Sequence, residues 1–188
     1  MSLKLMTALI MSGAVLAGCG NQHYATAEFA SGITTHAPYQ LATGDRLRVI
    51  VFGQDNLSNV YAVDSQGRIS MPLIGSVDAV GRTTGQLERS IEARLRGGFL
   101  REPKVSVEVD AYRPFFILGE VTTSGQFPYV NGMTVQTAVA IAGGFTPRGD
   151  RNIAVITRQV NGEVLTGQVS LNQPVLPGDT ITIRERWF

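Results

Sequence analysis

The sequence predicts an α+β fold composed of two small mixed modules. A Gly-Asp turn followed by an alternating strand occurs near each end of the folded part, at Gly44-Asp45 and at Gly178-Asp179. Each module also has one amphipathic helical segment that ends at a Gly-Gly pair. Strands around a single helix are typical of a small β-grasp-like domain. We therefore predict a first module over 37–112 and a β-grasp-like second module over 113–188.

The first module is predicted to run strand, hairpin, helix and strand. Leu47, Val49 and Val51 alternate with Arg46, Arg48 and Ile50, as in a half-buried strand. The segment 63–72 places a turn between two short strands. Thr83 and Gln86 have the spacing of a helix capping box. The helix then repeats apolar residues every four positions, at Leu87, Ile91 and Leu95. Its charged face is predicted to be solvated or to meet a neighbouring subunit. Alternation over 104–110 predicts a last strand.

The second module is predicted to open with an apolar strand over 115–121 and a short strand over 126–130. A helix follows, with Thr134 as its cap and an apolar stripe at Val135, Ala138, Val139 and Ala142. Two further strands, over 153–158 and 164–169, are separated by the hairpin signal Asn161-Gly162.

Six residues are predicted to have structural roles in turns. Glycine supplies a positive φ, and aspartate accepts a local backbone hydrogen bond. The residues are Gly44, Asp45, Gly143, Gly144, Gly178 and Asp179. Catalysis by Asp45 or Asp179 is the alternative, and a turn-capping carboxylate is the favoured interpretation.

The N-terminal segment has the pattern of a secretory signal, with a short basic start and a hydrophobic stretch too short to span a bilayer. It ends in Leu16-Ala17-Gly18-Cys19, which resembles a bacterial lipobox. We therefore predict a lipoprotein signal peptide over 1–18, lipidation of Cys19, and a flexible tether over 19–36. A buried N-terminal helix with an incidental cysteine is the alternative. The resemblance to lipoproteins implies that Gly20, which is not Asp, permits sorting to the outer membrane.

Composition excludes several classes of function. The 188 residues carry 16 Lys+Arg and 15 Asp+Glu, so a net charge of +1 gives no field that would attract nucleic acid. One cysteine and two histidines are too few for a disulfide or a Cys/His zinc site, so no metal or cofactor is predicted. His23 and His36 lie in the tether, where a metal or catalytic role is the less favoured interpretation. No acid pair stands out as catalytic, and the prediction is that the protein is not an enzyme.

The order and spacing of these motifs resemble the bacterial polysaccharide export family, the Wza-like outer-membrane lipoproteins. The first module is similar to the family's export domain through Tyr39-x-Leu41-x-x-Gly44-Asp45-x-Leu47, through Gly67-Arg68-Ile69-x-Met71-Pro72-Leu73-Ile74-Gly75, and through Gly81-Arg82-Thr83 with the strand over 103–109. The second is similar to a soluble-ligand-binding β-grasp (SLBB) domain through Leu118-Gly119-Glu120-Val121, Ser124-Gly125, Thr134, Ala142-Gly143-Gly144 and Leu176-Pro177-Gly178-Asp179-Thr180-Ile181, with Glu185-Arg186-Trp187-Phe188. Each motif alone is weak, and the ordered set behind a lipobox is specific.

The resemblance implies transport of capsular polysaccharide or exopolysaccharide. The expected assembly is a homo-oligomeric periplasmic ring, lipid-anchored to the outer membrane, with an inner-membrane polysaccharide copolymerase as a further partner. Larger relatives carry a C-terminal amphipathic helix that lines a pore, and this sequence stops at Phe188 without one. We therefore expect a separate outer-membrane channel protein to complete the route. The alternative is a lipid-anchored saccharide-binding or regulatory module of the export machinery.

Four charged residues are candidates for the subunit interface of such a ring. Arg148, Asp150 and Arg151 lie in the loop after the second helix, where opposite charges can pair across a cyclic interface. A solvated loop is the alternative interpretation. Glu120 lies in the predicted apolar strand and is expected to pair with an arginine within the fold or across the ring.

Overall fold

The computed structural model describes residues 38–160 and 162–186, and within them the chain forms ten strands and two α-helices. The first module contains β1 (Arg46–Val51), β2 (Asn59–Ala62), β3 (Arg68–Met71), β4 (Gly75–Asp78), α1 (Thr84–Arg96) and β5 (Val105–Ala111). The second contains β6 (Phe115–Gly119), β7 (Gly125–Phe127), α2 (Val135–Ile141), β8 (Ile153–Val160), β9 (Glu163–Ser170) and β10 (Thr180–Ile183). Two hydrophobic clusters, one in each module, form the core. The predicted α+β class with two mixed modules is confirmed.

The first module has a three-stranded antiparallel sheet, ordered β2-β1-β5, and a separate β3-β4 hairpin. The alternation predicted for β1 is confirmed, since Leu47, Val49 and Val51 are buried and the intervening residues are exposed. A turn does lie between β2 and β3, with Gly67 at a φ of 78°. The predicted hairpin there is wrong, because this turn carries the chain from one sheet to the other. Local turn signals do not specify which strands pair.

Helix α1 covers the first sheet and begins at the predicted capping box. The Thr83 hydroxyl accepts from the Gln86 backbone N–H, and the Gln86 side chain accepts from the Thr83 backbone N–H. Its buried stripe is the predicted one, Leu87, Ile91 and Leu95.

Two glutamates on the charged face of α1 form hydrogen bonds that the sequence did not predict. The Glu88 carboxylate accepts from the Val107 backbone N–H at 2.9 Å, and Glu92 accepts from the Val105 backbone N–H at 3.1 Å. Both donors lie on the outer edge of β5, where no further strand of the described part pairs. The carboxylates of Glu88 and Glu92 therefore bind the backbone of their own chain, rather than only solvent or a neighbouring subunit. They cover a sheet edge that would otherwise expose donors.

The second module has a five-stranded sheet, ordered β7-β6-β10-β8-β9, with α2 packed on one face. β10 runs parallel to β6, and the other neighbours are antiparallel. Helix α2 begins at the predicted cap, because the Thr134 hydroxyl accepts from the Thr137 backbone N–H, and its predicted apolar stripe is buried.

Both opening strands of the second module are shorter than predicted. β6 ends at Gly119, whose φ is 86° and where an added Cβ would lie 2.1 Å from the Ile183 carbonyl oxygen. Val121 forms only an isolated bridge with Phe145. β7 ends at Phe127 because Pro128, which follows, has no N–H to donate. Neither described helix is long and apolar enough to span a membrane.

Candidate functional site

The first Gly-Asp turn is built around a buried carboxylate. Gly44 has a φ of 92°, and Asp45 has no solvent exposure. Oδ2 of Asp45 accepts from the backbone N–H of Ala42 at 2.8 Å and from the Tyr39 hydroxyl at 2.7 Å. Oδ1 accepts from the backbone N–H of Arg113 at 3.0 Å. The carboxylate thus joins the turn to the chain segment that connects the two modules.

The second Gly-Asp turn repeats this construction with a charged partner. Gly178 has a φ of 85°, and Asp179 is fully buried. Oδ2 of Asp179 accepts from the backbone N–H of Leu176 at 2.7 Å. Arg158 donates from Nε to Oδ1 at 2.7 Å and from Nη2 to Oδ2 at 2.6 Å, which makes a bidentate, buried ion pair.

The two turns share one hydrogen-bond pattern. In each, the aspartate carboxylate accepts from the backbone N–H three residues earlier, and the aspartate N–H donates to the carbonyl of that same residue. A carboxylate that is buried and engaged by several donors cannot reach a substrate. Because of this geometry we keep a structural role for Asp45 and Asp179 as the prediction, in preference to the catalytic alternative.

Arg113 lies between the two turns, and sequence reasoning did not identify it beyond placing a module boundary there. Its backbone N–H bonds to the first turn, and its side chain passes directly over the second. An added Cβ at Gly178 would lie 2.5 Å from Nε of Arg113, and one at Gly44 would lie 3.5 Å from its Cβ. The second turn thus requires glycine for its φ and for the space that Arg113 occupies.

We call the contacts of Arg113 with the two turns the junction, and three tyrosines extend it into both modules. Tyr39 packs edge-on against Tyr112 with ring centroids 4.9 Å apart, and Tyr112 packs edge-on against Tyr129 at 5.4 Å. Tyr39 also contacts the first hydrophobic cluster, and Tyr129 contacts the second. Burial, and then the hydrogen bond to Asp45, raise the pKa of Tyr39. Its hydroxyl therefore stays a donor at neutral pH, and the two modules are connected by packing as well as by the chain.

The Gly-Gly pair after α2 closes the helix and contacts the loop that follows β6. Gly143 and Gly144 have φ values of 83° and 91°. The Gly144 N–H donates to the Val139 carbonyl, and the Thr122 hydroxyl donates to the Gly143 carbonyl at 2.9 Å. Both glycines therefore end the helix in a conformation that other residues adopt only with strain.

Glu120 lies one residue beyond β6, not within a strand as predicted. Its carboxylate accepts from the Thr146 hydroxyl, and its carbonyl accepts from the Thr146 backbone N–H at 3.1 Å. The hydrogen bonds of Glu120 to Thr146 thus hold the loop after α2 against the end of β6, and the charge of Glu120 also acts on Arg148 in the same loop.

The remaining charged residues of this loop differ in their surroundings. Arg148 forms an ion pair with Glu185 of the same chain, and that hydrogen bond and charge raise the pKa of Arg148. Asp150 accepts from the Asn152 backbone N–H at 2.8 Å, and its own N–H donates to the Arg184 carbonyl. Arg151 is exposed. The structure brings Arg148, Asp150 and Arg151 together on one surface loop.

Several predicted features lie outside the described residues. These are the signal peptide, Cys19 and the tether with His23 and His36. Within the described residues, no group of three or more His, Cys, Asp or Glu side chains is placed to hold a metal ion.

The fold and the junction define a two-domain α+β protein in which the carboxylates of Asp45 and Asp179 are buried and hydrogen-bonded within turns. Residues 34–110 match the family model of polysaccharide biosynthesis/export proteins, and residues 114–168 match the SLBB domain model. The chain thus carries one domain of the polysaccharide export family followed by one SLBB domain.

Two curated relatives agree with this assignment. The exopolysaccharide production protein ExoF of Rhizobium meliloti (strain 1021) is 33% identical over 144 residues, which cover 76% of this chain and 32% of the relative. The polysialic acid transport protein KpsD of Escherichia coli is 22% identical over 172 residues, which cover 86% of this chain and 31% of the relative. The chain thus spans about one third of the length of these relatives. The family model describes polysaccharide biosynthesis/export proteins, and the names of the two relatives refer to polysaccharide production and transport, so these comparisons assign the chain to no enzyme class.

Proposed function

We propose that this protein is a lipid-anchored component of a polysaccharide exporter. It lies on the periplasmic face of the outer membrane and contributes to the passage of capsular polysaccharide or exopolysaccharide outward. One observation carries the proposal: the chain combines an export domain and an SLBB domain in that order, and each matches its own family model.

Secretion of polymer in the native host tests this function. Deleting the gene is expected to abolish surface or secreted polysaccharide, and the full-length gene is expected to restore it. Complementation with the Asp179→Asn variant, which disturbs the second module's buried ion pair, should restore less polymer than complementation with Arg148→Gln, which alters an exposed pair. Unchanged polymer in the deletion strain would contradict an export role.

The anchor is proposed to be a lipid on Cys19, because Leu16-Ala17-Gly18-Cys19 resembles a lipobox. Metabolic labelling with palmitate should label the native chain and leave Cys19→Ser unlabelled. Adding Ser31→Cys to the Cys19→Ser variant supplies a thiol outside the motif and is the matched control. Label in the Cys19→Ser chain would remove the anchor from the proposal.

We further propose that identical copies form a ring through which the polymer passes. A closed ring needs each subunit to keep one shape, and the junction at Arg113 and the three tyrosines supports a fixed orientation of the modules. Asp150 and Arg151 are the proposed contacts with the neighbouring copy, while Arg148 and Glu120 shape the loop through their own-chain partners.

Electron microscopy of the detergent-extracted lipoprotein tests the ring and counts its subunits. Arg151→Glu should weaken chemically crosslinked oligomers, whereas Arg101→Glu, an exposed arginine of the first module, should not. Equal oligomers in both variants would exclude the loop as the contact. Crosslinking in whole cells should also capture an inner-membrane polysaccharide copolymerase, the partner that the family resemblance implies.

The SLBB match favours one alternative, a saccharide-binding or regulatory module of the same machinery. In that case the deletion strain would still secrete polymer, and the amount or timing of secretion would change.

A further inference from the structure

The five-stranded sheet of the second module has a long strand, β9, at one edge. β9 pairs with β8 over eight consecutive residues, from Glu163 opposite Val160 to Ser170 opposite Ile153, without a register shift. In the sheet order β9 is the last strand, so no described strand pairs with its other side. Its backbone groups on that side face away from the sheet.

The register identifies the residues whose backbone groups point outward. Two residues connect Val160 to Glu163, and a two-residue hairpin closes on a hydrogen-bonded pair. Antiparallel pairs then alternate between bonded and non-bonded. The N–H and C=O groups of Val164, Thr166, Gln168 and Ser170 therefore point out of the sheet edge. The Ser170 carbonyl accepts from the Gln173 backbone N–H at 3.1 Å, and no hydrogen bond among the described residues reaches the outward groups of the other three.

The other edge strands of the two larger sheets, β5, β2 and β7, are protected by recognisable devices. On β5, Glu88 and Glu92 accept from the outward N–H groups. β2 has only four residues, and the Asn59 side chain accepts from the backbone N–H of Val60 at 2.7 Å. β7 has three residues and is followed by Pro128. β9 has eight residues and no proline, lysine or bulge, so it lacks the devices that keep an edge from pairing.

We propose that β9 pairs antiparallel with β9 of a second copy of this chain, about a two-fold axis at Thr166. Thr166 then faces Thr166 of the second copy, and Val164 faces Gln168 of the second copy on either side. The outward groups of Val164, Thr166 and Gln168 of each strand are all used, and the two five-stranded sheets become one sheet of ten strands. A strand with three outward residues that carry no hydrogen bond is complementary to itself, whereas β7 and β2 are too short and too blunted to match it.

Charge agrees with this pairing. Glu163 is the one charged residue of β9 and lies at its end, outside the paired segment. In the antiparallel arrangement the two Glu163 residues lie six positions apart along the strands, about 20 Å. No like charges meet across the contact. Because the contact is two-fold, it joins copies in pairs and is separate from the head-to-tail contacts that close a ring.

Site-directed crosslinking of the full chain tests the register. Across a bonded antiparallel pair the Cα atoms are about 5.5 Å apart, within reach of a disulfide. Thr166→Cys should therefore form a covalent dimer under mild oxidation. Thr157→Cys is the matched control: Thr157 lies beside Thr166 on β8, and its symmetric copies would be three strand spacings apart, about 14 Å. The parent chain, with Cys19 alone, sets the background.

A dimer from Thr166→Cys, and not from Thr157→Cys or the parent, supports the proposal. No dimer above background, equal dimers from both variants, or crosslinks to a different protein would each overturn it.

A second variant measures the contact without a thiol. Thr166→Pro removes an N–H that points away from β8, so the internal ladder keeps its bonds and circular dichroism should stay unchanged. Sedimentation should show loss of the dimer in Thr166→Pro and its retention in Thr166→Val. A dimer that survives Thr166→Pro with an intact fold would overturn the pairing.

Discussion

The buried ion pair at the second Gly-Asp turn gives the sharpest stability prediction. The side chains of Arg158 and Asp179 are 8% and 1% exposed, and two hydrogen bonds join them. Asp179→Asn removes the carboxylate charge that faces the buried guanidinium. It also places an NH2 group opposite donors, because Arg158 and the Leu176 N–H already donate to both carboxylate oxygens.

Breaking a buried pair on one side costs about 3 to 5 kcal/mol, so Asp179→Asn should lower the free energy of unfolding of the second module by about that amount. With a urea slope of about 1 to 3 kcal/mol per M, the unfolding midpoint should fall by about 1 M or more. Circular dichroism during urea titration measures the shift. Arg148→Gln, which breaks the exposed pair with Glu185, is the control and should leave the midpoint unchanged.

A double-mutant cycle separates the ion pair from the turn itself. In the Arg158→Met background no guanidinium is left to desolvate, so Asp179→Asn should cost much less than it does alone. An equal cost in both backgrounds would refute the reasoning. The loss would then come from the hydrogen bond to the Leu176 N–H.

Three further predictions follow from the junction, the sheet and the covered edge. Because the pKa of Tyr39 is raised in the folded protein, its protonated hydroxyl stabilises the fold fully below about pH 10, and this contribution is lost as the pH rises above that. Between about pH 9 and pH 11 the free energy of unfolding should therefore fall less in Tyr39→Phe than in the parent. Gly119→Ala should destabilise the protein far more than Gly132→Ala in urea titrations, because both positions have a positive φ but only the first Cβ would overlap a backbone carbonyl; equal losses would contradict this. Replacing Glu88 and Glu92 together by alanine should speed amide exchange on β5, which mass spectrometry detects, whereas glutamine at both positions should preserve protection.

Local patterns were sufficient for the elements whose signals are local. The Thr83 capping box and the Leu87, Ile91, Leu95 stripe identified α1, and the alternation after Asp45 identified β1. These patterns need only the residues themselves and their neighbours along the chain.

Features that depend on distant partners were not predictable. The turn at Gly67 has a hairpin signal, yet its two strands pair in different sheets. At the end of β6, the Ile183 carbonyl leaves no room for a Cβ at position 119, and that carbonyl is more than sixty residues away along the chain. For the candidate site, both aspartates were identified as turn residues from their Gly-Asp motifs. The position of Arg113 against both turns was not, since no sequence pattern places one arginine over two remote turns.

The parallel pair at the centre of the second sheet has a mechanical consequence. The chain enters this sheet at β6 and leaves it at β10, and the two strands lie side by side from Phe116 opposite Thr180 to Gly119 opposite Ile183. A force that pulls the entry and the exit apart therefore acts along the strands in opposite directions. It loads all hydrogen bonds of this ladder together, whereas the β8-β9 hairpin, pulled at its open ends, would unzip one pair at a time. The second module is thus stiffest along the direction in which tension on the chain would stretch it.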